Sequence, residues 1–158
     1  MRSPEDLAGM MAASGPSRDE QVRQTRFRQQ LVADWQIPEG ARVLEIGCGQ
    51  GDTTAALADA VGPAGRVVAV DLALPDYGAP VTIGESARVL SSSPLGEQIA
   101  FRFEFDVMDP SNAFSGDEFD YVVLAHCTWY FESLAQLRET LEWVRPWAPR
   151  LCLSEWEL

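Results

Sequence analysis

Hydrophobic and polar positions follow two different periods along this chain, and the two periods predict strands and helices in turn. Short apolar runs at residues 42–46, 66–70 and 151–153 predict buried strands. Residues 99–105 alternate between apolar and other side chains, which favours an edge strand with one face partly wet. The run at residues 121–125 is apolar throughout, as expected for a central strand that is covered on both faces.

Helical spacing fills the intervals between these runs. Ser17, with Glu20 three positions later, predicts a capping box that begins a helix, and Pro38 prevents its continuation. The apolar stripe expected to pack that helix on the sheet is Phe27, Leu31 and Trp35. Asp52 is expected to cap a second helix over residues 53–60.

Two further helices complete the pattern. The first is expected around residues 82–90, and the second has its apolar stripe closed by Pro146. That stripe is Leu134, Leu137, Leu141 and Val144. Strands separated by helices imply an α/β fold with a doubly wound, mainly parallel sheet, which binds ligands beyond the carboxyl ends of its strands.

The length of 158 residues fits a single domain. Residues 1–16 show no useful periodicity, so we expect a mobile arm there unless something pins it, followed by one domain over residues 17–158. Three thiols, at Cys48, Cys127 and Cys152, have no paired spacing and indicate neither disulfides nor a metal site. We expect them to be reduced and mostly buried.

Charge and hydropathy narrow the possible partners. The chain has 24 acidic against 12 basic side chains, a net charge of -12, and all of its bases are Arg. A field of that sign disfavours nucleic acid and anionic membranes. The basic side chains near the start are expected to form a solvated helix face: Arg18, Arg23, Arg26 and Arg28. No apolar stretch is long enough to span a bilayer, and the first residues lack a secretory pattern, so we expect a cytoplasmic protein.

The tip of the first strand carries the candidate chemistry. Residues 45–52 read Glu-Ile-Gly-Cys-Gly-Gln-Gly-Asp. Alternate glycines let the main chain turn through positive φ and let a ligand lie directly against it. A dinucleotide fingerprint needs a further glycine where Asp52 stands, and a phosphate-binding P-loop needs a Lys that this sequence lacks.

This run resembles the E/D-x-G-x-G-x-G signature of Rossmann-like, class I S-adenosylmethionine-dependent methyltransferases, and the similarity covers roughly residues 25–155. The resemblance implies that the glycine loop lies against the methionine part of the cofactor, with Glu45 placing its amino group. A carboxylate suits a ligand that carries a sulfonium and an ammonium. The cofactor-binding residues implied in this loop are Glu45, Gly47, Cys48, Gly49, Gln50 and Gly51.

The ends of the second and third strands extend the resemblance. Asp71 matches the family's acidic residue that accepts hydrogen bonds from both ribose hydroxyls, with Leu72 beside the adenine. Asp71 also suits a helix cap or turn, and nicotinamide-binding folds carry a similar residue. Asp106 and Val107 match the positions that meet the adenine amino group and ring, with Asp109 as a competitor. Either aspartate also suits an ordinary turn.

The fourth strand runs into Ala125 and His126, where the family's loop passes beneath the reactive methyl group. The resemblance makes His126 the candidate general base, and its ordinary pKa suits proton removal from an acceptor. A lone histidine equally suits a hydrogen-bonded supporting role. The aromatic side chains that follow either wall the acceptor pocket or pack in the core: Trp129, Tyr130 and Phe131.

These residues predict a methyltransferase that uses S-adenosylmethionine, needs no metal and acts on a small-molecule acceptor. Family members usually add two C-terminal antiparallel strands for which this chain has no residues, so strand five becomes an open edge. We expect either that this sequence is a C-terminally truncated part of a longer protein, or that a second copy or a partner chain covers this edge. The alternatives are a cofactor-binding module without catalysis and, less favoured, a nicotinamide oxidoreductase.

Overall fold

The computed structural model of the protein describes residues 1–12 and 17–156. Five strands form a single sheet in the order β3-β2-β1-β4-β5, and every neighbouring pair is parallel. The strands are β1 Arg42–Ile46, β2 Arg66–Val70, β3 Ile99–Arg102, β4 Tyr121–Ala125 and β5 Arg150–Ser154. The doubly wound α/β fold predicted from the sequence is therefore confirmed, and β3 lies at an edge as its alternation predicted.

The described residues form five α-helices, two of which precede β1. Their bounds are α1 Pro4–Ala8, α2 Arg18–Asp34, α3 Asp52–Val61, α4 Ile83–Ser91 and α5 Leu134–Val144. α4 begins with a full capping box between Thr82 and Glu85, which places its start one residue later than the sequence suggested. None of the described helices combines the length and apolar content needed to cross a bilayer.

The sheet separates two apolar layers. On one face, side chains of α1, α2 and α3 pack against alternate residues of the strands, with Leu7, Leu57 and Val43 fully buried. On the other face, the strands pack against α5 and a cluster around Trp147 and Phe119. β4 contributes to both layers, as its continuous apolar run predicted. The strand order reverses between β1 and β4, so the carboxyl ends of these strands form the crevice at which such sheets bind ligands.

α2 buries a different face from the one predicted. Phe27 is 39% exposed, and Leu31 and Trp35 are only partly buried. The side chains that α2 buries are Gln21, Thr25, Gln29 and Val32. The predicted stripe was wrong because this helix turns polar side chains toward α3 and the glycine loop. Ser17 does cap α2, accepting a hydrogen bond from the Glu20 N–H.

Two other expectations need correction. α3 begins on Gly51 without a side-chain cap, and the Asp52 carboxylate accepts from Gln21 Nε2 at 2.7 Å instead. In α5, Leu134 is 85% exposed, so the predicted stripe packs through its later residues. The solvated face predicted for the basic side chains of α2 holds for Arg23 and Arg26, whereas Arg28 is partly buried.

The segment before α2 has a structure that the sequence pattern did not reveal. Ser3 caps α1, Pro4 occupies its first turn, and Leu7 lies fully buried in the core. Arg2 also donates to the Asp59 carboxylate of α3 at 2.7 Å. These contacts hold residues 1–12 against the domain. The mobile arm was expected only if nothing pinned this segment, so residues 1–12 do not form one. Residues 13–16 lie outside the described residues.

Candidate functional site

The glycine loop closes the gap between β1 and α3 through three residues of positive φ. Gly47, Gly49 and Gly51 have φ values of 75°, 52° and 87°. The N–H groups of Gly47 and Cys48 both donate to the Val70 carbonyl at the end of β2. These bonds fix the loop across the carboxyl ends of two neighbouring strands.

Only one of these three glycines faces open space. A Cβ at Gly47 would lie 2.7 Å from Cys127 Cβ, and one at Gly51 would touch Leu90 and Phe101 at 3.4 Å. A Cβ at Gly49 would meet nothing within 4 Å. Gly47 and Gly51 therefore serve packing, whereas Gly49 leaves bare main chain on which a ligand can lie.

Asp71 follows β2 and turns its carboxylate toward the glycine loop. Its Oδ2 accepts from the Gly49 N–H at 2.8 Å, and its Oδ1 accepts from the Ala73 N–H at 2.9 Å. The bond from Ala73 is the turn contact that the sequence allowed for Asp71. The bond from Gly49 links Asp71 directly to the glycine loop. Each carboxylate oxygen has a further lone pair, so Asp71 can still accept from a diol.

The segment after β3 places Asp106, Val107 and Asp109 near the crevice, and the two aspartates bond to their own turns. Asp106 Oδ1 accepts from the Met108 N–H at 2.8 Å, while Val107 is buried. Asp109 is occupied with Ser111, whose N–H and hydroxyl both donate to Asp109 Oδ1. Asp109 therefore serves its own turn. Leu72, on the rim beside Asp71, leaves 70% of its surface exposed.

Glu45 is enclosed in the protein, with 2% of its surface exposed. Its Oε2 accepts from the Thr54 hydroxyl at 2.5 Å. Burial raises the pKa of Glu45 to about 8, although the Thr54 hydrogen bond and the Arg28 charge act in the opposite direction. Glu45 therefore holds its proton to a higher pH than an ordinary glutamate does.

Cys48 and Gln50 contribute to the loop in ways that the signature alone did not specify. The Cys48 side chain is buried, and its carbonyl accepts from the Gly51 N–H. Gln50 Nε2 donates to the Val81 carbonyl at 2.7 Å and so ties the loop to the chain before α4. Both side chains support the loop and leave its outer surface free.

His126 lies directly after Ala125 with a φ of 55° and is buried beneath Trp156. The two rings stack with centroids 4.1 Å apart. Within the described residues neither ring nitrogen has a hydrogen-bond partner, and Nδ1 lies 3.7 Å from Glu155 Oε1. Burial, assisted by the Arg28 charge, lowers the pKa of His126, which Glu155 partly opposes. The neutral form of the imidazole is therefore favoured.

The aromatic side chains after His126 divide between packing and the rim. Phe131 packs against the core layer of α5, whereas Trp129 and Tyr130 are largely exposed. Trp129 Nε1 donates to the His126 carbonyl at 2.9 Å. The neighbouring Tyr77 hydroxyl raises the pKa of Tyr130. An aromatic rim therefore borders the crevice.

Sequence reasoning missed the side chains that α2 and the end of β5 add to this site. Arg28 is partly buried beside Trp156, with its guanidinium carbon 5.4 Å from that ring. Glu155 accepts from both the N–H and the hydroxyl of Thr128, at 2.9 and 2.6 Å. The sequence did contain one indication of this buried face of α2. Gln21, Thr25, Arg28 and Val32 follow one another at helical spacing, so they share one side of the helix.

The three thiols are free and buried, as predicted. Burial raises the pKa of Cys127 to about 12 and that of Cys152 to about 11, so neither offers a thiolate nucleophile at neutral pH. Over residues 1–12 and 17–156, no three His, Cys, Asp or Glu side chains gather closely enough to hold a metal ion.

Similarity to known proteins agrees with this geometry. Residues 18–153 match a family model described as a methyltransferase domain. A methyltransferase of Diaporthe leptostromiformis, phomM', is 34% identical over 75% of this chain and 35% of its own length. The demethylmenaquinone methyltransferase of Staphylococcus carnosus is 29% identical over 62% of this chain and 36% of its own length. The chain thus spans about a third of the length of these relatives.

Solved structures give the same fold. A cyclopropane-fatty-acyl-phospholipid synthase-like protein of Lactobacillus casei is 36% identical, with a TM-score of 0.87 over 98% of this chain and 57% of its own. A methyltransferase of Aquifex aeolicus shares the fold at 18% identity, with a TM-score of 0.64 over 99% of this chain and 74% of its own. The chain belongs to the class I, Rossmann-like family of S-adenosylmethionine-dependent methyltransferases.

Proposed function

We propose that the protein transfers a methyl group from S-adenosylmethionine to a small-molecule acceptor. The observation that carries this proposal is the open main chain at Gly49, with the Asp71 carboxylate bonded to its N–H at 2.8 Å. A side chain at Gly49 would occupy the space in which a ligand can lie against the loop. Membership in the methyltransferase family supports the same assignment.

The residues around this point fit the parts of the cofactor. Asp71 has lone pairs left for the two ribose hydroxyls, and exposed Leu72 offers an apolar surface for adenine. Asp106 would accept from the adenine amino group, beside the main chain of Val107. Glu45 would meet the amino end from beneath the loop, and Ala125 would lie below the reactive methyl group.

Bound S-adenosylmethionine supplies an electrophilic methyl group on a positively charged sulfur. An acceptor lone pair in line with the carbon–sulfur bond would take that methyl group, and the electrons of the broken bond would stay on sulfur. The protein accelerates such an in-line displacement by alignment and by excluding water. The glycine loop and Asp71 would hold the donor, and the rim of Trp129 and Tyr130 would enclose the acceptor.

His126 is our proposed general base for an acceptor that still carries its proton. It is buried, its lowered pKa favours the neutral form, and the ring nitrogen that then lacks a proton can accept one. Proton removal would proceed to one ring nitrogen as the methyl group moves. We expect His126→Ala to lose turnover while it retains cofactor affinity, measured by product formation and by calorimetry. Full activity in this variant would assign His126 a supporting role only.

The acceptor class follows from charge and from the rim. A net charge of -12 disfavours nucleic acids and phospholipid head groups, whereas exposed aromatic side chains suit an uncharged or aromatic small molecule. One relative is named for demethylmenaquinone, a small molecule. We place the reaction in the cytoplasm because the three unpaired thiols suit a reducing compartment.

A cofactor-binding module without catalysis is the second candidate. It is favoured by the thin cover over β5, where Leu151 and Leu153 are 49% and 43% exposed. A nicotinamide oxidoreductase ranks below both because Asp52 replaces the glycine that a dinucleotide needs.

A thermal-shift comparison of S-adenosylmethionine, S-adenosylhomocysteine and NAD separates the three functions. We expect the first two ligands, and not NAD, to raise the melting temperature. A metabolite screen with S-adenosylmethionine should then reveal a product heavier by one methylene. Stabilisation without a product in any extract would favour the binding module, and stabilisation by NAD alone would favour the oxidoreductase.

A further inference from the structure

The His126 ring is held firmly by its surroundings, yet neither of its nitrogens is bonded. Its backbone has a φ of 55°, a left-handed conformation that persists only where neighbouring contacts impose it. Its N–H donates to the Ser154 carbonyl at 2.8 Å and so continues the pairing of β4 with β5. Only 4% of the side chain is exposed, and over residues 1–12 and 17–156 both ring nitrogens are buried without a partner. Buried nitrogens of this kind need an explanation, and a chemical role is one.

Glu155, the residue that follows β5, is the acidic group that faces this ring. Its Oε1 lies 3.7 Å from Nδ1 of His126, which is just beyond hydrogen-bond length. Hydrogen bonds in catalytic sites are often long before the substrate binds and then tighten. At this distance a carboxylate already favours a proton on the ring nitrogen that faces it.

Three hydrogen bonds fix the Glu155 carboxylate in this position. Its Oε2 accepts from the N–H and the hydroxyl of Thr128, at 2.9 and 2.6 Å, and its Oε1 accepts from the Trp156 N–H at 3.0 Å. Desolvation acts in the other direction, but these bonds lower the pKa of Glu155 below its ordinary value. The group is therefore a carboxylate at neutral pH, and Oε1 keeps a lone pair for His126.

The other side chains around the His126 ring cannot accept a hydrogen bond from it. Phe27 and Trp156 lie against the ring, with centroids 5.7 and 4.1 Å away. Arg28 of α2 is the other charged group that acts on the ring, and it is a cation. Burial and Arg28 lower the pKa of His126, and Glu155 raises it. Among these side chains from α2 and from the end of β5, only Glu155 can accept a bond from a ring N–H.

On the basis of the proposed function, we infer that Glu155 is a positioning residue that holds the proton of neutral His126 on Nδ1 and leaves the Nε2 lone pair for the acceptor. The acceptor's proton would then pass to Nε2 as the acceptor takes the methyl group. Both ring nitrogens would carry a proton, and the Glu155 carboxylate would stabilise the positive charge of the ring without taking a proton itself. Release of the Nε2 proton to water would restore the base.

Nitrogen-15 NMR of the imidazole tests this inference directly, because His126 is the only histidine in the 158-residue sequence. The chemical shifts of the two ring nitrogens report which of them carries the proton. Neutral histidine in water prefers the proton on Nε2, so an Nδ1–H form in the folded protein is the signature of the Glu155 contact. We expect the wild type to show the Nδ1–H form above the pH at which the ring titrates.

Glu155→Gln removes the charge and keeps the size of the side chain. Its amide oxygen can keep the bonds from Thr128, so its NH2 group then faces Nδ1 and donates to it. We expect the proton of neutral His126 to move to Nε2. We also expect the titration to shift to lower pH, because no carboxylate stabilises the imidazolium. Glu118→Gln is the matched control, since Glu118 also accepts from a main-chain N–H, at 2.9 Å, but lies before β4. It should keep the wild-type tautomer and titration.

The inference is overturned if the wild type carries its proton on Nε2, or if Glu155→Gln changes neither the tautomer nor the titration. These spectra need no cofactor and no acceptor. Failure of the proposed function, seen as a folded protein that binds no S-adenosylmethionine, is therefore recognised separately.

The kinetic test uses the acceptor that the metabolite screen identifies by product formation. Glu155→Gln should lower kcat by about 10- to 100-fold, a part of the roughly 10²- to 10⁴-fold that a general base contributes, and leave KM unchanged. The rise of the rate with pH should move to lower pH, whereas Glu118→Gln should behave as the wild type does. A wild-type kcat and pH profile in Glu155→Gln would overturn the inference.

Discussion

Glu45 is the first residue of the glycine-loop signature, but its pKa depends on its burial, which the motif does not predict. The side chain is enclosed beside Thr54, and its pKa is raised to about 8 by desolvation. An unfolded chain releases this proton near pH 4.5, whereas the folded protein holds it until about pH 8. Because the folded state binds the proton more tightly, this residue costs the protein stability as the pH rises between those values.

Glu45→Gln should therefore become increasingly more stable than the wild type as the pH rises from 5 to 8. We expect the difference in unfolding free energy to grow by about 2 to 4 kcal/mol over this window, since one pKa unit corresponds to about 1.4 kcal/mol. Urea unfolding of both proteins at several pH values measures it. Parallel stability curves would show that Glu45 titrates normally.

The sequence predicted which residues lie at the site better than it predicted the groups to which they bond. Asp71 and Gly49 follow from the motif and its spacing, and the structure joins them by a hydrogen bond. Arg28 could not be recognised in this way, because one more arginine on a helix rich in exposed charge resembles a solvated side chain. Only its unpaired, buried nitrogens distinguish it from Arg23 and Arg26.

The three glycines of the glycine loop have different roles: Gly47 and Gly51 allow close packing, and Gly49 leaves space for a ligand. Gly49→Ala should keep the fold, with a cost of about 1 to 2 kcal/mol for a left-handed residue, and should lose cofactor affinity because the methyl group enters the ligand's space. Gly47→Ala should cost about 2 to 5 kcal/mol, since its Cβ would also collide with Cys127.

Chemical unfolding and S-adenosylhomocysteine titration of both variants distinguish these duties. The pair is informative because both glycines have positive φ and lie two residues apart. If Gly49→Ala bound the ligand as the wild type does, the open side of the loop would not be the cofactor surface.

Strands and helices with one clear period of apolar residues were predicted well. Helices that bury polar side chains were not. The continuous apolar run of β4 gave both its bounds and its two-sided burial. The buried face of α2 was assigned wrongly because Gln21 and Thr25 lie inward beside α3, where a helical wheel expects apolar residues. α1 was missed because five residues are too few to show a period, although Ser3 and Pro4 form a recognisable start.

β5 forms an edge of the described sheet and pairs only with β4 there. Leu151 and Leu153 extend the layer of Val122 and Leu124 but remain about half exposed. Exposed strand edges with apolar side chains favour association. We propose that a second copy or a partner chain covers this edge.

The 158-residue chain should accordingly self-associate in sedimentation equilibrium as its concentration rises. Replacing Leu151 and Leu153 together by Thr should weaken this association, since Thr keeps strand propensity and loses apolar area. Val89→Thr on α4 is the control, because Val89 is similarly exposed on a helix. A monomer at every concentration would show that a second copy does not cover this edge.

The order of the strands also places the site, because the tips of β1 and β2 meet beside the switch in strand order. We propose that Gly49 and Asp71 form the cofactor surface there. Calorimetric titration with S-adenosylhomocysteine of the wild type, Asp71→Ala and the turn control Asp109→Ala tests it most directly. We expect one site in the wild type, binding weakened by about 1 to 3 kcal/mol in Asp71→Ala, and no change in Asp109→Ala. Equal affinity in all three proteins would contradict the claim.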